Sequence, residues 1–384
     1  MPGSPPSTTR PWCRPSPPTS APAPREPAEP TDARLRACRS RGRAVRARSR
    51  PSARTRASAA GVRHDGPVDF EPYRGELTAY CYRMLGSYQD AEDQVQESLL
   101  RAWKARDRYD PDRASVRTWL YRIATNVCLT ALEGRARRPL PSGLGAPGED
   151  PRVPLVPAPD IPWLEPFPDA RFDLEKRADL RLAWVAAVQL LPARQRAVLV
   201  LREVLGFTAA EVAGQLETTV AAVNSTLQRA RVTLAVAGGR TELTELTEPD
   251  DPEAREVVRR YARAFEAADV PALVRLLAED AILEMPPVPL WYLGRQDYGR
   301  FMDWVFETRG RGWVTRQLTA NGQPALAAYL PEAETEDAFR LHSLQVFTVH
   351  GGRITHNVVF ADPRLMQVFG LPSRISSEKL RRER

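Results

Sequence analysis

The chain has 384 residues and a formal net charge of +7, from 55 Lys and Arg against 48 Asp and Glu, enough length for two or three small domains and a balance that favours an anionic partner. No run of about 18 uncharged apolar residues occurs, so no spanning helix is expected. Four cysteines, Cys13, Cys38, Cys81 and Cys128, form no C-x-x-C pair and no zinc spacing with histidine, so they read as plain thiols of a reducing compartment, with no metal or cofactor implied.

Residues 1–66 are rich in Pro, Ser, Ala and Arg and poor in large apolar residues. Such a segment cannot bury enough surface to offset chain entropy and is predicted to be disordered. It has no apolar core of a secretory signal. Its Arg41–Arg50 stretch is a candidate for nonspecific phosphate contact; the alternative is a dispensable extension from an upstream start codon.

Residues 67–138 carry helical periodicity. Val95, Leu99 and Ala102/Trp103 make one apolar stripe, while Asp93, Gln96, Glu97 and Leu100 share another face at i, i+3, i+4 and i+7. That second face is either solvated or a docking surface for a basic partner helix. The next helix, Val116–Leu132, has its core stripe at Trp119, Ile123 and Val127. Arg117, Tyr121, Arg122 and Asn126 lie largely off it. Cations, a ring and an amide are what single-stranded DNA requires: charge for phosphates, a π-face for stacking, an amide for base edges. The turn-rich loop before it, Arg108–Ser115 with Arg108 and Arg113, is shaped to hold an unstacked base. Arg135, Arg137 and Arg138 add charge at the helix exit.

Residues 139–171 form a Pro-rich linker. Its Pro162-Trp163-Leu164-Glu165-Pro166 island places apolar residues where a tether is normally polar, which marks Trp163 and Leu164 as interdomain docking residues. Residues 172–238 resume helical sequence. A helix begins after Pro192; Gly206-Phe207 breaks the chain; Thr208 and Glu211 form a capping box for a helix over Ala209–Leu216. Thr219 caps another from Val220 to Arg231 or beyond, with Ala213 and Val223 at the crossing. This spacing predicts a helix-turn-helix or, failing that, a simple helical hairpin. Thr218, Thr219, Asn224, Ser225, Gln228, Arg229 and Arg231 are its exposed reading residues: amides suit adenine edges, arginines guanine or phosphate. A short acidic linker, 239–250, leads to residues 251–373, predicted as α+β. Helices at Glu253–Ala268 and Pro271–Ala278 precede strands that include Phe339–Val349 and Ile354–Phe360, split by the His350-Gly351-Gly352 turn. Residues 374–384 read as a charged, frayed tail.

Asp90-Ala91-Glu92-Asp93, Gln96-Glu97 and Arg101-Ala102-Trp103, followed by Arg117-Thr118-Trp119-Leu120-Tyr121-Arg122-Ile123-Ala124-Thr125-Asn126, strongly resemble region 2 of extracytoplasmic-function (ECF) sigma factors. The 172–238 block resembles sigma region 4, except that Asn224 stands where the reading helix usually has an arginine. The Trp163 motif, Asn321-Gly322-Gln323-Pro324-Ala325 and Asp362-Pro363-Arg364-Leu365 resemble sigma factors with a SnoaL-like C-terminal extension, of the sigma factor G type. The resemblance implies two all-α domains and a cone-shaped α+β domain behind a disordered N-terminus. It implies binding to the β′ clamp helices of core RNA polymerase through Asp93, Gln96, Glu97 and Leu100, and to the β flap. It also implies −10 recognition by Arg108, Arg113, Arg117, Tyr121, Arg122 and Asn126, −35 recognition by the 218–231 set, and a cytoplasmic location.

SnoaL-like relatives include cyclases and ketosteroid isomerase, whose chemistry needs a carboxylate or histidine in an apolar cavity. Glu284, Trp291, Tyr292, Tyr298 and His342 are the candidates to line such a pocket, with a small molecule as the ligand. No spacing singles out an acid–base pair, and a fold does not carry an activity. The expected protein is therefore an initiation factor modulated in cis by its C-terminal domain, not an enzyme. The alternatives are a one-component helix-turn-helix regulator and a SnoaL-type enzyme fused to a DNA-binding module.

Overall fold

The computed structural model describes residues 69–171, 180–236, 251–332, 338–376 and 378. The expectations for 1–66 and 239–250 lie outside these residues. Among the described residues no helix is long and apolar enough to cross a membrane.

Three helices form the first module: α1 (Arg74–Leu85), α2 (Tyr88–Ala105) and α3 (Val116–Leu132). Ser87 caps α2 by accepting from Asp90 N at 3.1 Å, and Ser115 caps α3 by accepting from Thr118 N at 3.1 Å. Gly86, at φ +70°, makes the sharp α1–α2 turn that a β-carbon would strain. The interior is aromatic, with Tyr80, Tyr82, Tyr88 and Tyr121 fully buried. Tyr80 still finds a partner for its hydroxyl, Thr125 Oγ1, at 2.7 Å. Cys81 and Cys128 are buried free thiols.

The second module comprises α4 (Leu182–Val188), α5 (Ala193–Leu199) running into a π-helical turn at Val200–Val204, α6 (Ala209–Gln215) and α7 (Val220–Val236). The Thr208–Glu211 capping box is present as the sequence predicts, and Ala213 and Val223 are buried where α6 and α7 meet. Glu217 turns the chain between them at φ +50°.

The third module is α+β. Helices α8 (Pro252–Glu266), α9 (Val270–Leu276) and α10 (Arg295–Arg309) cover one face of a sheet of β1 (Leu277–Glu284), β2 (Trp291–Leu293), β3 (Val314–Ala320), β4 (Gln323–Pro331), β5 (Ala338–His350) and β6 (Arg353–Phe360). The strand order is β2-β1-β6-β5-β4-β3, with β1 and β6 parallel and the other neighbours antiparallel. A short α11 (Pro363–Val368) follows. Arg374–Ser376, read from sequence as the start of a frayed tail, instead form β7 and pair with β5.

Period-2 alternation explains how this sheet is used. Along β4, Leu326 and Ala328 join a core with Tyr261, Phe265, Tyr298 and Trp313 under the helices. Ala325, Ala327 and Tyr329 join the core of the two helical modules instead. Both faces of the sheet are therefore apolar, and the second one is buried against the rest of the protein.

The linker is part of that interior and is not a solvated tether. Trp163 is 8% exposed and Leu164 fully buried. Glu165 N donates to Gly86 O at 3.0 Å, and Tyr82 Oη donates to Glu165 O at 2.7 Å. A β-carbon at Gly86 would lie 2.9 Å from Leu164 Cδ1 and 3.1 Å from Gln189 Cδ. Gly86→Ala combines left-handed backbone strain with this clash, so it is expected to cost about 2–4 kcal/mol. Chemical denaturation of the variant checks this; a loss below about 1 kcal/mol contradicts the packing.

Candidate functional site

On α2, Asp93 and Gln96 are exposed, Glu97 is half-buried, and Leu100 is 46% exposed. Glu97 accepts from Arg101 Nε at 2.6 Å, an i,i+4 pair on the helix surface. The sequence placed Trp103 with Ala102 in the buried stripe. Ala102 is buried, but Trp103 is 50% exposed, and the Arg106 guanidinium lies 4.4 Å from its ring centre. Gln96, Leu100 and Trp103 follow i, i+4, i+7, so the surface is a carboxylate patch with an apolar border that extends to Trp103.

The α3 set divides. Asn126 and Arg122 are exposed, as are Arg108 and Arg113 in the preceding loop. Tyr121 is a correction: its ring is fully buried, edge-on to Tyr80 at 5.2 Å and to Phe207 at 5.2 Å, so it offers no face to a base. Arg117 is half-buried. Its Nε donates to Glu76 Oε2 at 3.0 Å, and its guanidinium lies 4.9 Å from the Tyr121 ring centre and 4.8 Å from that of Phe207. Phe207 precedes α6, so Arg117 binds the two helical modules together. Arg122 Nη2 donates to Glu217 Oε1 in the helix-turn-helix turn at 2.6 Å. A cavity of about 480 Å³ separates Arg108, Arg113 and Trp119 from Glu211, Gly214 and Gln215 of the second module. The loop itself is built: Tyr109 Oη donates to Ala114 O at 3.0 Å, and its ring tilts against Trp119 at 5.1 Å.

On the helix-turn-helix, Thr218, Thr219, Asn224, Ser225, Gln228, Arg229 and Arg231 are all exposed. Thr219 Oγ1 accepts from Ala222 N at 3.1 Å, so its hydroxyl is occupied as a cap. Arg231 is held by Glu203 at 2.6 Å.

The pocket residues divide between the two faces of the sheet, a second correction: Glu284 and Trp291 are cross-strand partners on one, Tyr292 and Tyr298 lie in the core under the other. Tyr292 and Tyr298 are buried on the helix side of the sheet, where Tyr298 Oη meets Tyr261 Oη at 2.8 Å and accepts from Asn357 Nδ2 at 2.7 Å. Glu284, one residue after Leu283 of that core, belongs by alternation to the opposite face and is fully buried. It contacts His356 Nε2 at 2.7 Å and accepts from Ser142 of the linker, at 2.9 Å from the backbone N and 3.0 Å from Oγ. Burial alone pushes its pKa up, but the His356 and Ser142 hydrogen bonds outweigh this and hold it below the ordinary carboxylate value. Trp291 Nε1 donates to Gly145 O at 3.0 Å, and Tyr292 Oη to Asp150 O at 3.2 Å, so the linker lies along this edge.

His342 packs edge-on against Trp313 at 5.0 Å. Burial, with Arg309 and Arg340 nearby, lowers its pKa to about 4. In the folded chain it stays neutral while the unfolded chain takes up a proton below about pH 6.5. Stability is therefore full above pH 6.5 and falls progressively toward pH 4, by on the order of 2–3 kcal/mol. Urea denaturation at pH 7 and pH 4.5 should show this loss in the native chain and a smaller one in His342→Phe. Equal losses contradict the assignment.

Asn321, in the β3–β4 turn, is the residue that sequence reasoning quoted without giving a role. Its Oδ1 accepts from Phe167 N at 2.8 Å. Its Nδ2 donates to Tyr82 Oη at 2.8 Å and to Leu180 O at 2.5 Å. Beside it, Gly322 N donates to Asp169 Oδ2 at 2.7 Å, and Gln323 Oε1 accepts from Leu182 N at 2.8 Å. Both helical modules, the linker and the sheet meet here. An asparagine in a left-handed turn is the only sequence signal for it.

These modules define a multidomain helix-turn-helix protein whose sheet domain is packed onto its DNA-binding part. Family models match in the same order: Sigma-70 region 2 over residues 70–138, Sigma-70 region 4 over 181–234, and a SnoaL-like domain over 258–357. The chain is 47% identical over 321 residues to the ECF RNA polymerase sigma factor SigG of Mycobacterium tuberculosis, covering 82% of this chain and 85% of that one. It is 27% identical over 303 residues to SigJ of the same species, covering 74% and 88%. The SigJ crystal structure shares the fold, with a TM-score of 0.55 at 24% identity, covering 79% of this chain and 98% of that one. The chain belongs to the ECF RNA polymerase sigma factor family.

Proposed function

We propose that the protein binds core RNA polymerase in the cytoplasm and directs initiation at promoters, with its C-terminal domain holding the two promoter-reading modules together until they are needed. The Asp93, Gln96, Glu97 and Leu100 face, bordered by Trp103, takes the β′ clamp helices, and the helix-turn-helix module takes the β flap. Arg108, Arg113, Arg117, Arg122 and Asn126 serve the melted −10 strand, and the α7 residues serve the −35 duplex. The domain boundaries follow the sequence reading, 67–138, 139–171, 172–238, 239–250 and a last domain from 251, which runs past 373 to take in β7. The protein works as an initiation factor and not as an enzyme; Glu284, with its oxygens held by His356 and by Ser142 of the linker, serves to fix the linker to the sheet.

The observation that carries the regulatory part is the Arg122–Glu217 pair, at 2.6 Å, next to Arg117 against Phe207. In this arrangement the −10 residues face the helix-turn-helix, so engaging both promoter elements requires the modules to part. A ligand or partner shifts such an equilibrium only by its preference for one state, and core polymerase with promoter DNA provides that preference. Spin labels at Arg113 and Gly214, with Cys13 and Cys38 replaced by serine, should report a short distance in the free chain and a long one in the promoter complex. A transcribing complex in which that distance stays short overturns the reading.

A further inference from the structure

A second cavity, of about 590 Å³, lies where the exit of α3, the end of α1, the linker and the α4–α5 turn meet. Four arginines line it: Arg135, Arg137, Arg138 and Arg196. Among the described residues one carboxylate, Asp90, lines it with them. Asp90 Oδ2 accepts from both Arg135 Nη1 at 3.1 Å and Arg138 Nη2 at 2.8 Å. Arg137 is exposed and donates only to Gly143 O, at 3.1 Å, among the bonds described.

Arg196 is 4% exposed. Its guanidinium donates to the carbonyls of Met84, Gln189 and Leu191 and to Gln189 Oε1, so it binds dipoles and no carboxylate. Its Nε has no hydrogen-bond partner among the described residues. Burial lowers its pKa to about 10, which leaves it charged at neutral pH. Arg138 also donates to Trp163 O at 2.8 Å and to Glu165 Oε1 at 3.4 Å, so two carboxylates set against four guanidiniums still leave a cationic excess, with one buried donor unused. Leu85, Leu132, Leu190, Leu191 and Pro162 provide apolar wall.

We propose that this cavity binds a small phosphorylated molecule with an apolar or aromatic body, of nucleoside-phosphate size. Its volume falls in the range of ordinary ligand pockets, about 300–1,000 Å³. Forked guanidinium donors suit the several oxygens of a phosphate, and Asp90 already shows where an anion sits between two of them. The apolar walls suit the remainder of the ligand. The phosphates of a DNA duplex lie on a convex rod and do not reach the recessed Arg196. The lining comes from both helical modules and the linker, so the site exists only while they are packed together. Occupancy therefore favours the closed arrangement by mass action. That consequence rests on the function proposed above, whereas the binding itself does not.

Calorimetric titration of the full chain with adenosine and guanosine 5′-diphosphate tests the site, with inorganic pyrophosphate and a promoter-free duplex as the other arms. Saturable one-to-one binding of a nucleoside diphosphate is expected. It should weaken at least about tenfold in Arg135→Ala/Arg137→Ala, both exposed positions that fold independently of the change, and tighten in Asp90→Asn. Absence of saturable binding at millimolar concentration overturns the proposal. So does an unchanged affinity in the double variant, pyrophosphate binding as tightly as the nucleotide, or displacement of the nucleotide by the duplex. Fluorescence anisotropy of labelled promoter DNA, without nucleotide substrates for synthesis, should then show weaker promoter binding when the site is filled. A failure of promoter binding without ligand would bear on the proposed function alone and leave the titration readable.

Discussion

Asp93→Arg combined with Glu97→Arg is expected to reduce retention of the chain by core RNA polymerase at least about 100-fold. Neither residue supports the fold. Asp93 is exposed, and Glu97 is half-buried with a surface i,i+4 pair to Arg101 that contributes only about 0.3–0.5 kcal/mol. Far-UV circular dichroism should accordingly be unchanged. At the interface the effect is larger, because reversal replaces two attractive contacts with two repulsive ones, and like charges brought together cost several kcal/mol. A loss of about 2.7 kcal/mol is already a factor of 100. Trp103→Ala should weaken retention further, since a half-exposed tryptophan bordering a charged patch is the type of residue that anchors an interface. Competition binding with labelled core measures both. Unaltered retention in the double reversal contradicts the assignment of this face.

The second large effect is expected at Asn321. Truncation to alanine leaves Phe167 N and Leu180 O without the partner they have at 2.8 and 2.5 Å, and removes one of the two hydrogen bonds of the Tyr82 hydroxyl, which keeps Glu165 O. These groups are buried, and each buried group left unsatisfied costs about 1–3 kcal/mol. Alanine also fits the φ +58° turn poorly. A total of about 3–5 kcal/mol is expected in urea denaturation. The loss has a direction as well as a size. Asn321 joins the sheet to both helical modules, so Asn321→Ala should loosen the closed arrangement before it unfolds any single module. Promoter binding by the free chain should rise while secondary structure persists. A loss below about 1 kcal/mol, or weaker promoter binding in the folded variant, contradicts the role given to this turn. Deleting the whole domain is a poorer test, because it uncovers the apolar residues of the helical modules that share a core with Ala325, Ala327 and Tyr329 of the sheet.

Local rules made much of this legible. The Thr208–Glu211 box, Pro192 before α5 and the Ala213–Val223 crossing are short-range signals, and the structure has all three. The β5 and β6 strands followed from Val and Phe content and from the paired glycines between them. What escaped depends on partners distant in sequence. Tyr121 lies off the Trp119 stripe, which from one helix alone means exposed. It is buried because α1 and the second module cover it, as the Glu76 and Phe207 contacts show. Trp103 failed in the other direction, since helical spacing allowed it in the stripe, yet it is half exposed with the Arg106 guanidinium against its ring. Glu284 was singled out as a carboxylate to line a pocket, but the serine that holds it is 142 positions earlier in a segment read as a linker. The Trp163 island was read as helping to dock the C-terminal domain, and Trp163 and Leu164 are buried. The sheet's second apolar face was legible as alternation only once β4 was known to be buried on both sides.

Run-off transcription by the purified full chain with core RNA polymerase, on a library of genomic promoter fragments, tests the central claim most directly. Transcripts are expected that start at discrete positions, require the chain, and disappear with the Asp93→Arg/Glu97→Arg variant. Promoter-dependent transcripts that persist undiminished with that folded variant, or no chain-dependent transcript from any fragment, would contradict it.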